Sequence, residues 1–314
     1  ARLAELSNLI LGSSDRINNL EYEIFCQIRE FILDNTKKLQ YLSKLISIID
    51  SINALSKLAR ENNYCKPKIT TDNIIKIKNG RHPVIEKKLK ENEFISNDTD
   101  IGESNNLIQI ITGPNMAGKS TYMRQMAIII ILAQMGSFVP CEKASICICD
   151  KVFTRIGASD NISKGESTFM LEMNEVSNIL KNSTDKSFII LDEVGRGTSS
   201  DDGLSIAMSL VDYLSKKKKA KTVFATHFHE LTVLENKLDN VINLKIDILE
   251  ENDSLVFLRK ISRGKSDRSY GIEVARMSGL PLDLIENAKV FMNKLDESDE
   301  VFKDNNKIIK SSID

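Results

Sequence analysis

Gly113-Pro114-Asn115-Met116-Ala117-Gly118-Lys119-Ser120 spells G-x-x-x-x-G-K-S between the apolar run 107–111 and the helical pattern that opens at Thr121. A buried strand, a Gly-rich turn and a helix start in that order predict a phosphate-binding loop. The two glycines let backbone N–H groups wrap phosphate oxygens, and the free N–H groups and dipole of the following helix point back at the loop. Lys119 is expected to reach the β- and γ-phosphates of a nucleoside triphosphate, and Ser120 to hold Mg²⁺ through its hydroxyl. The predicted binding stretch runs from Gly113 through Thr121.

A loop of this kind needs a second, metal-side element. Phe188-Ile189-Ile190-Leu191-Asp192-Glu193 supplies one, as four apolar residues of a central strand followed by two carboxylates. Asp192 is expected in the Mg²⁺ shell, and Glu193, one residue further out, to polarise the attacking water as general base. Between the two elements, the stretch 165–176 opens like an amphipathic helix with Ser167 as N-cap. A Gly-rich loop, 195–203, follows the carboxylates, and a strand over 222–226 then ends at His227. That order of elements resembles ABC-type ATPases, in which two nucleotides are sandwiched between two subunits.

The longer runs narrow the resemblance. ITGPNMAGKSTYMRQ (111–125), FTRIGASDNISKGESTFMLEMNEV (153–176), IILDEVGRGTSSDDGLSIA (189–207) and FATHFHEL (224–231) together resemble the MutS family of DNA mismatch repair ATPases. The likeness extends from about residue 1 to about residue 295. LEYEIFCQIREFI (20–32), RENNYCKP (60–67) and GRHPVIEK (80–87) are similar to the family's helical lever and core segment. Met116 and the run Val194-Gly195-Arg196-Gly197-Thr198 favour the mismatch repair branch over the recombination-suppressing paralogues. The resemblance implies ATP and Mg²⁺ as the ligands. It implies Asn115 facing the γ-phosphate, His227 sensing it in the same subunit, and Ser167 capping the γ-phosphate held by the partner subunit. Phe94 resembles the aromatic residue that stacks on adenine.

Composition excludes several classes. With 43 basic and 44 acidic residues the net charge is −1, so overall charge does not advertise nucleic-acid binding. Any DNA contact is expected from a local patch or from parts outside this chain. The apolar run 126–133 is too short to span a bilayer and reads as the buried helix after the phosphate loop. Lys216 to Lys219 reads as a solvated turn. In His227-Phe228-His229-Glu230 alternate strand residues share a face, but a zinc site needs three or four convergent ligands, and none is expected. The five cysteines lack C-x-x-C spacing and read as reduced, mostly buried thiols of a cytoplasmic protein, and the family resemblance implies the bacterial cytoplasm.

The predicted architecture is α/β: a P-loop ABC-type ATPase domain with a mostly parallel sheet over 67–262, preceded by an all-helical lever and core segment over 1–66. A helix-turn-helix dimerisation segment over 263–296 and a flexible acidic tail over 297–314 follow. Within the first segment, Leu39, Leu42, Leu45, Ile46, Ile49 and Ile52 show helical spacing, and Ser13-Ser14-Asp15 predicts a break and cap between two paired helices. Asn79-Gly80 predicts a hairpin turn. In the last helix pair, Asp283, Glu286, Lys289 and Lys294 show no basic excess, which argues against DNA reading and for packing on a partner ATPase. The chain starts within a helical pattern, so it is expected to be a fragment of a longer protein. The family reads mismatches with a Phe-x-Glu wedge, and Phe228-His229-Glu230, in the strand-end loop, is not placed for that role.

Implied partners are a second copy through the ATPase domain, mismatched duplex DNA through absent parts, and a MutL-like repair factor, with no membrane. The alternative function is a MutS-paralogue ATPase in recombination control, or an assembly module with little turnover.

Overall fold

The computed structural model describes residues 2–89, 93–157, 168–251, 254–266 and 270–294. They form two compact units divided between Glu61 and Asn62.

The first unit is one α-helix, α1 (Arg2–Glu61), of 60 residues, about 90 Å long at the helical rise. The expected break at Ser13-Ser14-Asp15 is absent. Ser13 Oγ donates to the Ile10 carbonyl at 2.7 Å, so the hydroxyl is satisfied inside the helix instead of capping a new one. Asn35, Thr36 and Ser51 bond back to carbonyls four residues earlier in the same way.

The second unit contains two sheets. A six-stranded sheet has the order β10-β9-β4-β8-β7-β6, with β4 (Ile108–Thr112), β6 (Val152–Arg155), β7 (Phe188–Asp192), β8 (Lys221–Ala225), β9 (Val241–Glu251) and β10 (Ser254–Arg263). All pairings are parallel except β9 with β10. The smaller sheet has the order β1-β5-β2-β3, formed by β1 (Lys68–Thr70), β2 (Ile75–Gly80), β3 (Asn97–Ile101) and β5 (Lys143–Cys147).

Strand alternation sorts the central residues onto two faces. Ile111, Phe188, Ile190, Val223 and Ala225 point to one side, against Met123, Met126 and Ile130 of α3 (Lys119–Gln134) and the isoleucines of the small sheet. Ile108, Ile110, Ile189, Leu191 and Phe224 point to the other. There they meet Val176 and Ile179 of α4 (Thr168–Asn182) and Ala207, Leu210 and Val211 of α5 (Ser200–Tyr213). Burial on both faces explains why these strands read as continuous apolar runs rather than alternating ones.

Asn79-Gly80 is not a turn. Both residues lie in β2, where Asn79 takes a left-handed φ of 48° and the pairing with β3 shifts between Ile77 and Gly80. The pair makes a bulge, held by the Asn79 N–H donating to Asp98 Oδ1 at 2.8 Å. The chain instead returns to β3 through a short helix, α2 (Pro83–Glu86), capped by His82. Lys216 to Lys218 lie in a wide helical turn that Lys219 ends with φ 52°. Four of the five cysteines converge in pairs: Cys65 and Cys141 sulfurs are 3.3 Å apart, and Cys147 and Cys149 sulfurs 4.0 Å, while Cys26 lies in α1, all as free thiols. After Gly264 come α6 (Gly271–Met277) and α7 (282–294), with Gly279 at φ 88° between them. Among the described residues no helix is long and apolar enough to cross a membrane.

Ile190 is fully buried and Ile148 is 57% exposed. Replacing Ile190 with Ala should cost about 2–5 kcal/mol in urea denaturation, whereas Ile148→Ala should stay within about 0.5 kcal/mol of the parent. Equal losses would contradict this placement of the core.

Candidate active site

Parallel register brings three strand ends level. Ile111 of β4 and Asp192 of β7 both pair with Ala225 of β8, so the phosphate loop, the carboxylates and His227 leave the same edge of the sheet side by side. This is the edge at which open α/β sheets bind ligands.

The loop itself carries positive φ at Gly113 (142°), Met116 (67°) and Gly118 (113°). Gly118 begins α3 without any side-chain cap, which leaves the first-turn N–H groups of a 16-residue helix for an anion. Lys119 is buried, its ammonium 2.5 Å from the Gly113 carbonyl, 3.1 Å from that of Pro114 and 3.3 Å from Asn115 Oδ1. Loss of hydration pushes this ammonium below the ordinary lysine value, and the Glu193 and Asp192 carboxylates partly oppose the shift. Thr121 follows Ser120 in the first turn of α3, Ala117 is fully buried and Met116 is exposed.

Ser120 Oγ donates to Asp192 Oδ2 at 2.7 Å. A hydroxyl and a carboxylate oxygen so close form a donor pair suited to a hard divalent cation such as Mg²⁺. Burial raises Asp192 above the ordinary carboxylate value; the Ser120 hydrogen bond opposes this and Glu193 adds to it. Glu193 takes a left-handed φ of 54°, an arrangement that costs about 1–3 kcal/mol and is held from outside. Its N–H donates to the Ala225 carbonyl at 2.9 Å, and its carboxylate meets Arg196 at 2.5 Å. His227 is exposed by area, yet neighbouring protein atoms hold its imidazole below the ordinary value, while Glu193 pulls it up and Arg196 and Lys119 push it down.

Other expected residues fall elsewhere. Ser167 lies outside the described residues, immediately before α4. Phe94 is half-buried in the bend before β3. That bend is docked on a bulge of β10: Lys260 Nζ donates to the Ser96 carbonyl at 2.8 Å, and Asn97 bonds the Arg259 carbonyl and the Ile261 N–H. His229 turns away to the Ser266 carbonyl at 3.1 Å.

Sequence reasoning gave no role to a buried cluster beside the carboxylates. Glu172 accepts from the Gly195 N–H at 2.6 Å and sits 3.6 Å from Arg155. The available signal was its spacing, since 172, 176 and 179 share one face of α4 and the other two are buried apolar residues. Gly195 and Gly203 are also locked together: a Cβ on Gly195 would lie 2.6 Å from the Gly203 carbonyl oxygen.

With this geometry in place, comparison with known proteins is decisive. The family model described as MutS domain V matches residues 109–296. The chain belongs to the MutS family. It carries that family's ATPase domain. The chain is 56% identical over 298 residues to the DNA mismatch repair protein MutS of Finegoldia magna, covering 95% of this chain and 35% of that protein. It is 53% identical to the MutS proteins of Clostridium kluyveri, over 94% of this chain and 34% of the relative, and of Clostridium tetani, in the same proportions. The chain thus spans about a third of the length of these relatives.

The raised value of Asp192 fixes a sign. Protonation is favoured in the folded state, so ionised Asp192 weakens the nucleotide-free fold above its folded pKa, and the penalty fades as pH falls through that value toward the ordinary one. Asp192→Asn should therefore melt at or above the parent temperature at pH 7.5, with the difference shrinking on acidification. A lower melting temperature for the variant at pH 7.5 would contradict the assignment.

Proposed function

We propose that this ATPase domain works in a mismatch-sensing MutS protein, in which closure of two copies around two ATP molecules moves the lever helices that grip DNA. The observation that carries the reading is the level placement of Lys119, Ser120, Asp192, Glu193 and His227 at one sheet edge. The relatives are named as DNA mismatch repair proteins, which supports the repair setting over recombination control.

In this proposal the stretch Gly113 to Thr121 cradles the phosphates, with a backbone N–H at every position but Pro114, Lys119 balances the β- and γ-phosphate charge, and Asn115 faces the γ-phosphate. Phe94 packs on the adenine. Ser120 and Asp192 hold Mg²⁺, which when bound would neutralise charge on the phosphate oxygens. Glu193 accepts the proton of the attacking water at its carboxylate. His227 senses the γ-phosphate. Ser167 serves the partner's nucleotide, so each site is shared. The proposed segments are those of the sequence reading, with 1–66 as lever and core, 67–262 as ATPase domain, 263–296 as dimerisation segment and 297–314 as tail. The proposed setting is the bacterial cytoplasm. Mismatched duplex is contacted through parts of the protein outside this chain, and a MutL-like factor is a further proposed partner.

Glu193→Gln should keep ATP binding and lower the hydrolysis rate by about 10² to 10⁴. A variant with the parent's rate in a steady-state phosphate-release assay would remove Glu193 from the role of base.

A shared site also predicts rescue between two dead variants, Lys119→Ala and Ser167→Arg. Random exchange makes about half of the dimers mixed, each with one whole site of two, so an equimolar mixture should recover about a quarter of parental activity. Mixed dimers without activity would place the whole reaction within one subunit.

A further inference from the structure

The loop that follows Glu193 is not held by regular secondary structure. Glu193 and Gly195 both have positive φ, at 54° and 94°. Two hydrogen bonds tie it down: the Glu193 N–H to the Ala225 carbonyl of β8, and the Gly195 N–H to Glu172 Oε1 of α4 at 2.6 Å. The loop also presses on the first turn of α4, where a Cβ on Gly197 would lie 3.1 Å from Phe169 Cβ.

Glu172 is in turn anchored. Its second oxygen is 3.6 Å from Arg155 Nη2 at the end of β6, and both side chains are almost wholly buried. Arg155 Nε is 2.8 Å from Glu175 Oε2 one turn further along α4, close in distance but out of line for a hydrogen bond, and the guanidinium also donates to the Gly157 carbonyl. A buried carboxylate cannot leave its cation without a large desolvation cost. Loop, helix start and strand end are therefore constrained to move together.

We propose that Glu172 is a positioning residue that ties the Glu193 loop to the first turns of α4, so that a nucleotide-driven change at one is passed to the other. The proposal rests on the nucleotide-site reading above. The physical link is one charge-assisted hydrogen bond, Gly195 N–H to Glu172, backed by the Arg155 ion pair. It connects the element that carries a subunit's own catalytic carboxylate with the helix whose preceding residue, Ser167, is proposed to serve the partner's nucleotide.

The test is hydrogen–deuterium exchange on the whole 314-residue chain, with and without ATPγS and Mg²⁺. In the parent, nucleotide should change exchange both at 193–197 and at 168–176. Replacing the ion pair by Arg155→Met with Glu172→Met substitutes an apolar pair of similar volume, a change that buried ion pairs often tolerate. This double variant should still bind ATPγS and respond at 193–197, while its response at 168–176 falls by about five-fold or more. Glu172→Gln keeps an acceptor for the Gly195 N–H and should retain most of the response, which a purely structural role would not require. The proposal is overturned if the double variant passes the full response, if Glu172→Gln loses it, or if the parent binds nucleotide without any change at 168–176. The parent and Gln comparisons stand even if the double variant does not fold. Failure of the parent to bind ATPγS is a separate outcome: it removes the nucleotide-site reading and the proposal with it.

Discussion

Lys119, Asp192 and Glu193 gather charge at the carboxyl edge of a mostly parallel sheet, and burial makes that gathering unfavourable for Lys119 and for Asp192 taken alone. Desolvation lowers Lys119 and raises Asp192, and each shift is opposed by a neighbour of opposite sign or by a hydrogen bond. The rest of the second unit serves this arrangement. β4, β8 and β7 set the three groups level, α3 packs one face of the sheet, and α4 and α5 pack the other. Strain at Glu193, with its left-handed backbone, is located where a fold optimised for stability alone would place a glycine.

Much of this was legible in the residues because the signals were local and dense. The run 188–191 is apolar throughout and is followed by two carboxylates, and Phe188–Asp192 is β7. The phosphate loop announced itself through two glycines at fixed spacing and a following helix. Gly279 and Pro281 lie at the boundary between α6 and α7, where one supplies a positive φ and the other suits a helix start.

What escaped the sequence was decided by context. Ser13-Ser14-Asp15 carries capping chemistry, but a serine hydroxyl can also bond back to its own helix, and in α1 it does. Asn79-Gly80 carries turn chemistry, but Asp98 of the neighbouring strand claims the Asn79 N–H and turns the pair into a bulge. Arg155 and Glu172 are seventeen residues apart, and only the packing of α4 against β6 makes them partners. The thiols of Cys65 and Cys141 meet for the same reason, across 76 positions. Periodicity locates a polar residue on a buried face but does not name what it meets there.

On the proposed reading a working site needs two copies of the chain, one lending its phosphate loop and the other its Ser167. The most direct measurement is ATP turnover per chain as a function of chain concentration, with sedimentation on the same samples to give the dimer fraction. Turnover per chain is predicted to rise with concentration in proportion to the dimer fraction and to level off when dimerisation is complete. A turnover per chain that stays constant from the monomeric to the dimeric range would contradict the account.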